Sequence, residues 1–302
     1  MTMPNFLIIG AMKSGTTALY HYLKQHPQIY MSPIKEPNFF AFEGEDLNFK
    51  GPKGEQEWIN QASITNLETY QQQFAEVSTE IAIGEASATY LCTPKAPERI
   101  KHHLPNAKLI AILRNPVGRA YSAFTHLRRD GQEPITNFSE ALEQEKTRIA
   151  KHWVPIYYYQ QLGFYAEQLQ RYYELIDRQQ IRVYLYEDFS RDPMAILQDI
   201  FHFLGVDENF APDTSLLHNA SGKAKNKALN DFLRTKHPVK DIFKPLFPKD
   251  LRQRLVVSLQ NFNLQKNAPL SPELHQQLSN LYRQDIQNLE KLINRDLSTW
   301  LM

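Results

Sequence analysis

The residues best equipped for chemistry lie near the N-terminus, in Gly10-Ala11-Met12-Lys13-Ser14-Gly15-Thr16-Thr17. They follow an apolar run, Phe6–Gly10, that reads as a buried strand, and they open a helical pattern over Thr16–Gln25 that stops before His26-Pro27. A strand, a glycine-containing turn and a helix start make a natural anion site. The first backbone N–H groups of a helix have no partner within it, and the helix dipole favours negative charge there. Gly10 and Gly15 let the backbone approach a ligand, Lys13 adds a positive charge, and Thr16 and Thr17 add hydroxyl donors. An ordinary strand-to-helix turn is the competing reading of this stretch taken alone.

The spacing of Gly10 and Gly15 matches the pattern G-x-x-x-x-G-K-[ST] of nucleoside-triphosphate loops, but Thr16 stands where that pattern has its lysine. A magnesium-dependent kinase or NTPase uses that lysine on the terminal phosphates. With the lysine displaced to Lys13, the loop suits a nucleotide that needs no magnesium clamp, and the kinase reading stays as the alternative.

The rest of the chain must position this loop. Further apolar runs at Ile81–Gly84, Leu109–Leu113 and Ile181–Tyr186 read as strands, with helical patterns at Val117–Arg129, Gln160–Asp177 and Pro193–Leu204. Alternating strands and helices predict an α/β fold: a P-loop-like parallel β-sheet with helices on both faces. No linker stands out, so residues 1–302 are expected to form one domain. Gly44–Ala62 is polar and turn-rich and reads as a surface insertion. Ser215–Asn226 reads as a long loop, and the tail from Asp250 reads as helical, with Ser271-Pro272 opening its last helix.

Bulk properties narrow the function. The 302 residues carry 34 Lys+Arg against 33 Asp+Glu, so no global basic field calls for nucleic acid or an anionic membrane. The single cysteine, Cys92, provides no disulfide framework and no zinc cluster, and a cytoplasmic setting is the simplest expectation. The apolar start at Phe6–Ala11 is far short of the roughly 18 residues of a membrane span, and it lacks the flanks of a signal peptide. No metal site, stable membrane insertion or nucleic-acid partner is expected; oligomeric state is left open.

Several segments together carry a family likeness. Phe6–Leu19 resembles the 5′-phosphosulfate loop of sulfotransferases that use PAPS (3′-phosphoadenosine 5′-phosphosulfate). Lys35-Glu36-Pro37-Asn38-Phe39-Phe40 and Gly84-Glu85-Ala86-Ser87-Ala88-Thr89-Tyr90 resemble motifs of the heparan sulfate and related carbohydrate branch. Arg114-Asn115-Pro116-Val117-Gly118-Arg119-Ala120-Tyr121-Ser122 resembles the family's 3′-phosphate motif. Gly163-Phe164-Tyr165 and Tyr186-Glu187-Asp188-Phe189 also resemble family segments. The matches keep the family's order over about two thirds of the chain.

The resemblance implies an enzyme that moves the sulfuryl group of PAPS to a hydroxyl or amine acceptor and releases PAP. A carbohydrate, a glycolipid or a small metabolite would be the acceptor. The backbone of Ser14, Gly15, Thr16 and Thr17 would hold the 5′-phosphosulfate. Arg114, at a strand end, and Ser122, about two helical turns on, would converge on the 3′-phosphate, where a guanidinium can bind bidentately. A surface ion pair is the plain reading of Arg114 by itself, and mid-helix serines are commonplace. Glu85, at the end of an apolar run, is the implied base for the acceptor, a capped or ion-paired carboxylate being the competing reading. Lys35 and Lys13 would stabilise the departing PAP, although a loop lysine such as Lys35 is often merely solvated. Lys223 and Lys225, in a segment that departs from the family pattern, are loose candidates for a nucleotide-closing loop. His102, His103 and His126 read as solvated or capping residues, with catalysis the lesser alternative. Trp153 and Tyr157-Tyr158-Tyr159 fit either an acceptor cleft or the core.

Overall fold

The computed structural model describes residues 2–215, 223–224, 264–265 and 268–302. Its centre is a five-stranded parallel sheet in the order β2-β3-β1-β4-β5, formed by β1 (Phe6–Gly10), β2 (Ile29–Met31), β3 (Ala82–Ala86), β4 (Lys108–Leu113) and β5 (Ile181–Leu185). The expected α/β class with a parallel sheet is what the chain adopts. β3 begins and ends one to two residues later than its apolar run suggests, because Ile81 is half exposed and Glu85 and Ala86 continue the pairing. β5 ends at Leu185, since Tyr186 starts a helix. β2, only three residues long, carries no usable periodicity.

The interior strands are buried on both faces, and their side chains alternate between two cores. Leu7 and Ile9 of β1 join Leu109, Ala111 and Leu113 of β4 on one face. Phe6 and Ile8 join Ile110 and Ile112 on the other. Close packing of neighbouring strands also fixes Gly84, where a Cβ would fall 2.2 Å from the Phe6 ring.

Helices α1 (Thr16–Leu23), α2 (Phe39–Phe42), α3 (Glu55–Ala62), α4 (Leu67–Gln72) and α5 (Ala96–His103) occupy the first half of the chain. After β4 come α6 (Pro116–Arg129), α7 (Phe138–Glu143), α8 (Glu145–Ala150) and α9 (Tyr165–Leu175). After β5 come α10 (Tyr186–Arg191) and α11 (Pro193–Leu204), and α12 (Pro272–Ile293) lies near the end. Ser271 caps α12 by accepting the Leu274 N–H at 3.3 Å, as the Ser-Pro start implies. α11 stops at Gly205 in the left-handed conformation. α9 is shorter than the predicted Gln160–Asp177, because its beginning is taken up by a 3₁₀ turn at Gln161–Gly163.

Gly44–Ala62 is not merely a surface insertion. Phe49 and Ile59 are buried in the main core, and Lys50 makes a backbone bridge to Trp153. The Asn60 side chain ties the segment together by bonding both backbone groups of Phe49. Polar composition conceals this, since two apolar anchors suffice to seat a short helix. Of the predicted loop Ser215–Asn226, residues 216–222, Lys225 and Asn226 lie outside the described residues. Lys223 lies in a short antiparallel pairing with Leu264–Gln265. Among the described residues no helix is long and apolar enough to cross a membrane.

Candidate active site

β1 is the middle strand, with β3 and β4 on either side, so the chain leaves it in opposite directions across the sheet. Ligands of open parallel sheets bind at the carboxyl ends of strands where the order diverges in this way. The loop Ala11–Gly15 lies at that point. Gly15 has φ 95°, and a Cβ there would crowd the Tyr186 ring at 3.1 Å. The first-turn N–H groups of α1 follow directly.

A cavity of about 750 Å³ opens over this loop. Lys13, Gly15, Thr16 and Thr17 line it, together with Lys35, Arg114 and Ser122. Three distant segments are thereby brought to one place. Ser14 is the exception: it is fully buried beside Tyr165 and does not line the cavity, which leaves it only a backbone role. Lys13 adopts a left-handed backbone (φ 67°). Burial, and then the neighbouring Arg129, pull its ammonium pKa down to about 7. A half-buried amine held at such a value is a poised cation, and an anion beside it favours its charged form.

Arg114 leaves the end of β4 and lies 4.6 Å over the Tyr186 ring, with Nη1 donating to the Lys13 carbonyl at 3.3 Å. Its neighbour Asn115 caps α6, its side-chain oxygen accepting from the Val117 and Gly118 N–H groups. That cap and Pro116 fix the start of α6, and so the height at which Ser122 faces the cavity. Arg119 of the same motif is instead fully buried in the core, where it donates to the Tyr159 carbonyl.

Two carboxylates compete for the remaining wall. Glu85 pairs in register with Leu7 and is completely buried. It accepts from the Tyr70 hydroxyl at 3.3 Å and the Ser87 hydroxyl at 2.9 Å, and it is absent from the cavity lining. Burial pushes its pKa up to about 7. Glu36, in contrast, lines the cavity. Its carboxylate is fixed by Lys35 Nζ on one oxygen and by the Ala88 N–H, at 2.7 Å, on the other. Its backbone N–H bonds the Ala86 carbonyl at 2.8 Å, so the loop crosses directly over the end of β3. Glu36 and Asn38 both take left-handed backbone conformations without being glycine, strain that clusters at functional sites. Sequence reasoning passes over Glu36 although it stands inside the quoted K-E-P motif; an acidic residue next to a candidate lysine is the available signal.

Burial of Glu85 has a measurable consequence. Its folded pKa lies above the ordinary carboxyl value of 4.5, so its contribution to stability is full below pH 4.5 and is lost as pH rises through about 7. Urea unfolding of the native protein should therefore lose up to about 3 kcal/mol from this group between pH 5 and pH 8, and Glu85→Gln should lack that loss. The difference between the two pH slopes isolates Glu85 from Lys13, whose depressed pKa acts in the opposite direction. Parallel slopes would show that Glu85 is not held protonated.

The other candidates separate cleanly. Tyr157 and Tyr159 are fully buried, Trp153 packs edge-on against Tyr157, and none of these lines the cavity. The same stretch nevertheless supplies Val154 and Ile156 to the wall. His103 bonds Glu43 at 2.7 Å, and neither it nor His102 reaches the cavity. His126 does line it, 3.9 Å from Glu55 and 3.7 Å from Asp130. Among the described residues no cluster of three or more histidine, cysteine or acidic side chains is arranged to hold a metal.

Comparison with known proteins fits this geometry. A crystal structure of a sulfotransferase from Alicyclobacillus acidocaldarius superimposes with a TM-score of 0.79 at 35% identity, each chain covering 100% of the other. The mouse bifunctional heparan sulfate N-deacetylase/N-sulfotransferase 4 is 28% identical over 309 residues, which cover 95% of this chain but 32% of the mouse protein. The chain thus spans about a third of the length of that relative. A mouse sulfotransferase complexed with PAP shares the fold, with a TM-score of 0.50 at 15% identity over 96% of this chain and 87% of that one. The model describing the sulfotransferase family matches residues 4–211, the stretch that holds β1 to β5 and every described cavity residue but Thr214, and the chain belongs to that family.

Proposed function

We propose that this sulfotransferase draws its sulfuryl group from PAPS and passes it to a hydroxyl or amine acceptor deprotonated by Glu36. The carrying observation is the convergence of Lys13, Arg114, Ser122 and the Lys35–Glu36 pair on one cavity at the carboxyl end of the sheet. The donor set fits such a nucleotide. First-turn amides of α1 and Lys13 suit a 5′-phosphosulfate, while Arg114 and Ser122 supply a second phosphate site on α6. The PAP named with the mouse structure supports the same donor.

In this reading Glu36 accepts the acceptor's proton as its oxygen or nitrogen bonds to sulfur. The bond between sulfur and the bridging oxygen breaks in line, and Lys13 and Lys35 stabilise the charge arriving on PAP. Lys35 also holds the Glu36 carboxylate in place, so positioning and electrostatics share one pair. Glu85 supports the floor of the site: it accepts from Ser87, whose hydroxyl in turn accepts the Asn38 N–H at 3.0 Å.

Titration calorimetry tests the donor. PAP should bind without magnesium, and ATP with magnesium should bind far more weakly. Arg114→Ala should cost PAP about tenfold to a hundredfold in affinity, the range for a charge-assisted hydrogen bond. It should leave adenosine 5′-phosphosulfate, which lacks the 3′-phosphate, unchanged. Preference for magnesium-ATP would return the kinase reading.

A further inference from the structure

The acceptor side of the cavity differs in character from its nucleotide side. Tyr22, Tyr186 and Phe189 stand on α1 and α10, and Tyr186 and Phe189 pack against Gly15 of the phosphate loop. An acceptor must approach Glu36; the segment after α3 is tied to the Glu36 loop by the Ile64 N–H to the Pro37 carbonyl at 2.8 Å, and α3 and the loop after α8 both line the cavity. Its lining includes Trp58, Ile59, Val154 and Ile156, with Glu55 beside His126; Ile59, Val154 and Ile156 are themselves buried and back the wall. Trp58 is 42% exposed, a large apolar side chain left open at the mouth.

Charge sharpens the contrast. Lys35 is engaged by Glu36, and among the described residues the other cavity lysine, Lys13, belongs to the phosphate loop. α3 contributes Glu55 and no base. A polyanionic acceptor would bring its sulfates or carboxylates against Glu55 and Glu36 in a confined space already shared with an anionic nucleotide. Like charges placed together in this way discriminate strongly. A neutral alcohol with an apolar body meets no such opposition and gains burial against Trp58, the exposed part of that wall, with Ile59, Val154 and Ile156 behind it.

We infer that the acceptor is a neutral amphiphile: an uncharged hydroxyl on an apolar body that packs against Trp58, Ile59, Val154 and Ile156, with Glu55 rejecting polyanions. The inference rests on the proposed PAPS-dependent transfer at Glu36 and names the substrate class of that same site.

Primary alcohols from ethanol to octanol, with PAPS, provide the test on the full chain. kcat/KM should rise roughly threefold per methylene until the wall is covered. N-desulfated heparin should be the poorer acceptor by at least about tenfold relative to hexanol. Trp58→Ala should flatten the chain-length series through KM and leave PAP affinity as it is. Glu55→Gln should narrow the gap to N-desulfated heparin. Binding without turnover offers a second readout: octanol should shift Trp58 emission to the blue in the PAP-loaded protein, and Trp58→Phe should abolish that shift. A flat series, or faster transfer to N-desulfated heparin, overturns the inference. Absence of PAP binding in calorimetry would instead bring down the donor reading beneath it, so the two failures are distinguishable.

Discussion

Glu36→Gln should lower kcat by about 10²–10⁴-fold, the usual contribution of a positioned base, while PAP binds with unchanged affinity. The variant keeps the size of the side chain, and its remaining oxygen can still accept from the Ala88 N–H. It loses the capacity to take a proton. Single-turnover transfer measured beside PAP calorimetry separates the two properties. Glu85→Gln is the matched control. That carboxylate is sealed under Tyr70 and Ser87 and lies off the cavity, so its replacement should slow turnover far less. The reverse ranking, with Glu85→Gln the more damaging, would restore Glu85 as the base that the family resemblance implies. Turnover of Glu36→Gln close to wild type would remove Glu36 from the chemistry.

The second large effect concerns stability. Arg148 and Glu133 form a buried bidentate pair, Nη1 to Oε2 at 2.7 Å and Nη2 to Oε1 at 2.8 Å. Tyr159 donates to the same carboxylate at 2.6 Å, and the Ile135 N–H donates at 3.0 Å. The guanidinium lies 5.0 Å from the Trp153 ring centroid and 5.4 Å from that of Tyr157. This network clamps the end of α8 to the turn after α6 and so holds the loop that presents Val154 and Ile156. Arg148→Met leaves Glu133 charged and buried, and should cost about 3–5 kcal/mol in chemical denaturation. Adding Glu133→Gln should recover part of that loss, because the penalty resides in the orphaned charge. A cost below about 1 kcal/mol for the single variant would show that water reaches the carboxylate.

What lay open in the sequence is what depends on neighbours along the chain. The Gly10–Thr17 loop is one strand end, two glycines and one helix start within eight residues. The α6 motif is likewise a strand end, an Asn-Pro cap and a serine two turns on. Strands with apolar runs, and helices bounded by proline and glycine, followed for the same reason. Amphipathic alternation did not show which core each face would join. Only the pairing of β1 with β3 and β4 placed Leu7 and Phe6 on opposite sides.

The choice between two glutamates could not be read locally. Glu85 follows an apolar run and looks like a residue at an active strand end. Its register opposite Leu7, however, points it to the face occupied by Tyr70. Glu36 stands in a proline-bounded loop, and it reaches the cavity only because that loop crosses the end of β3 and bonds Ala86 and Ala88. The acceptor wall has the same origin. Trp58 and Ile59 are remote in sequence from Val154 and Ile156, and they meet through the burial of Phe49 and Ile59 in the main core. Backbone geometry and helix capping act over a few residues, so a glycine-bearing strand-to-helix loop on an α/β sheet, with its family likeness, was written into the chain in readable form. Which carboxylate faces the reacting atoms, and what surface the acceptor meets, depends on strand register and long-range packing, and those exist only once the chain has folded.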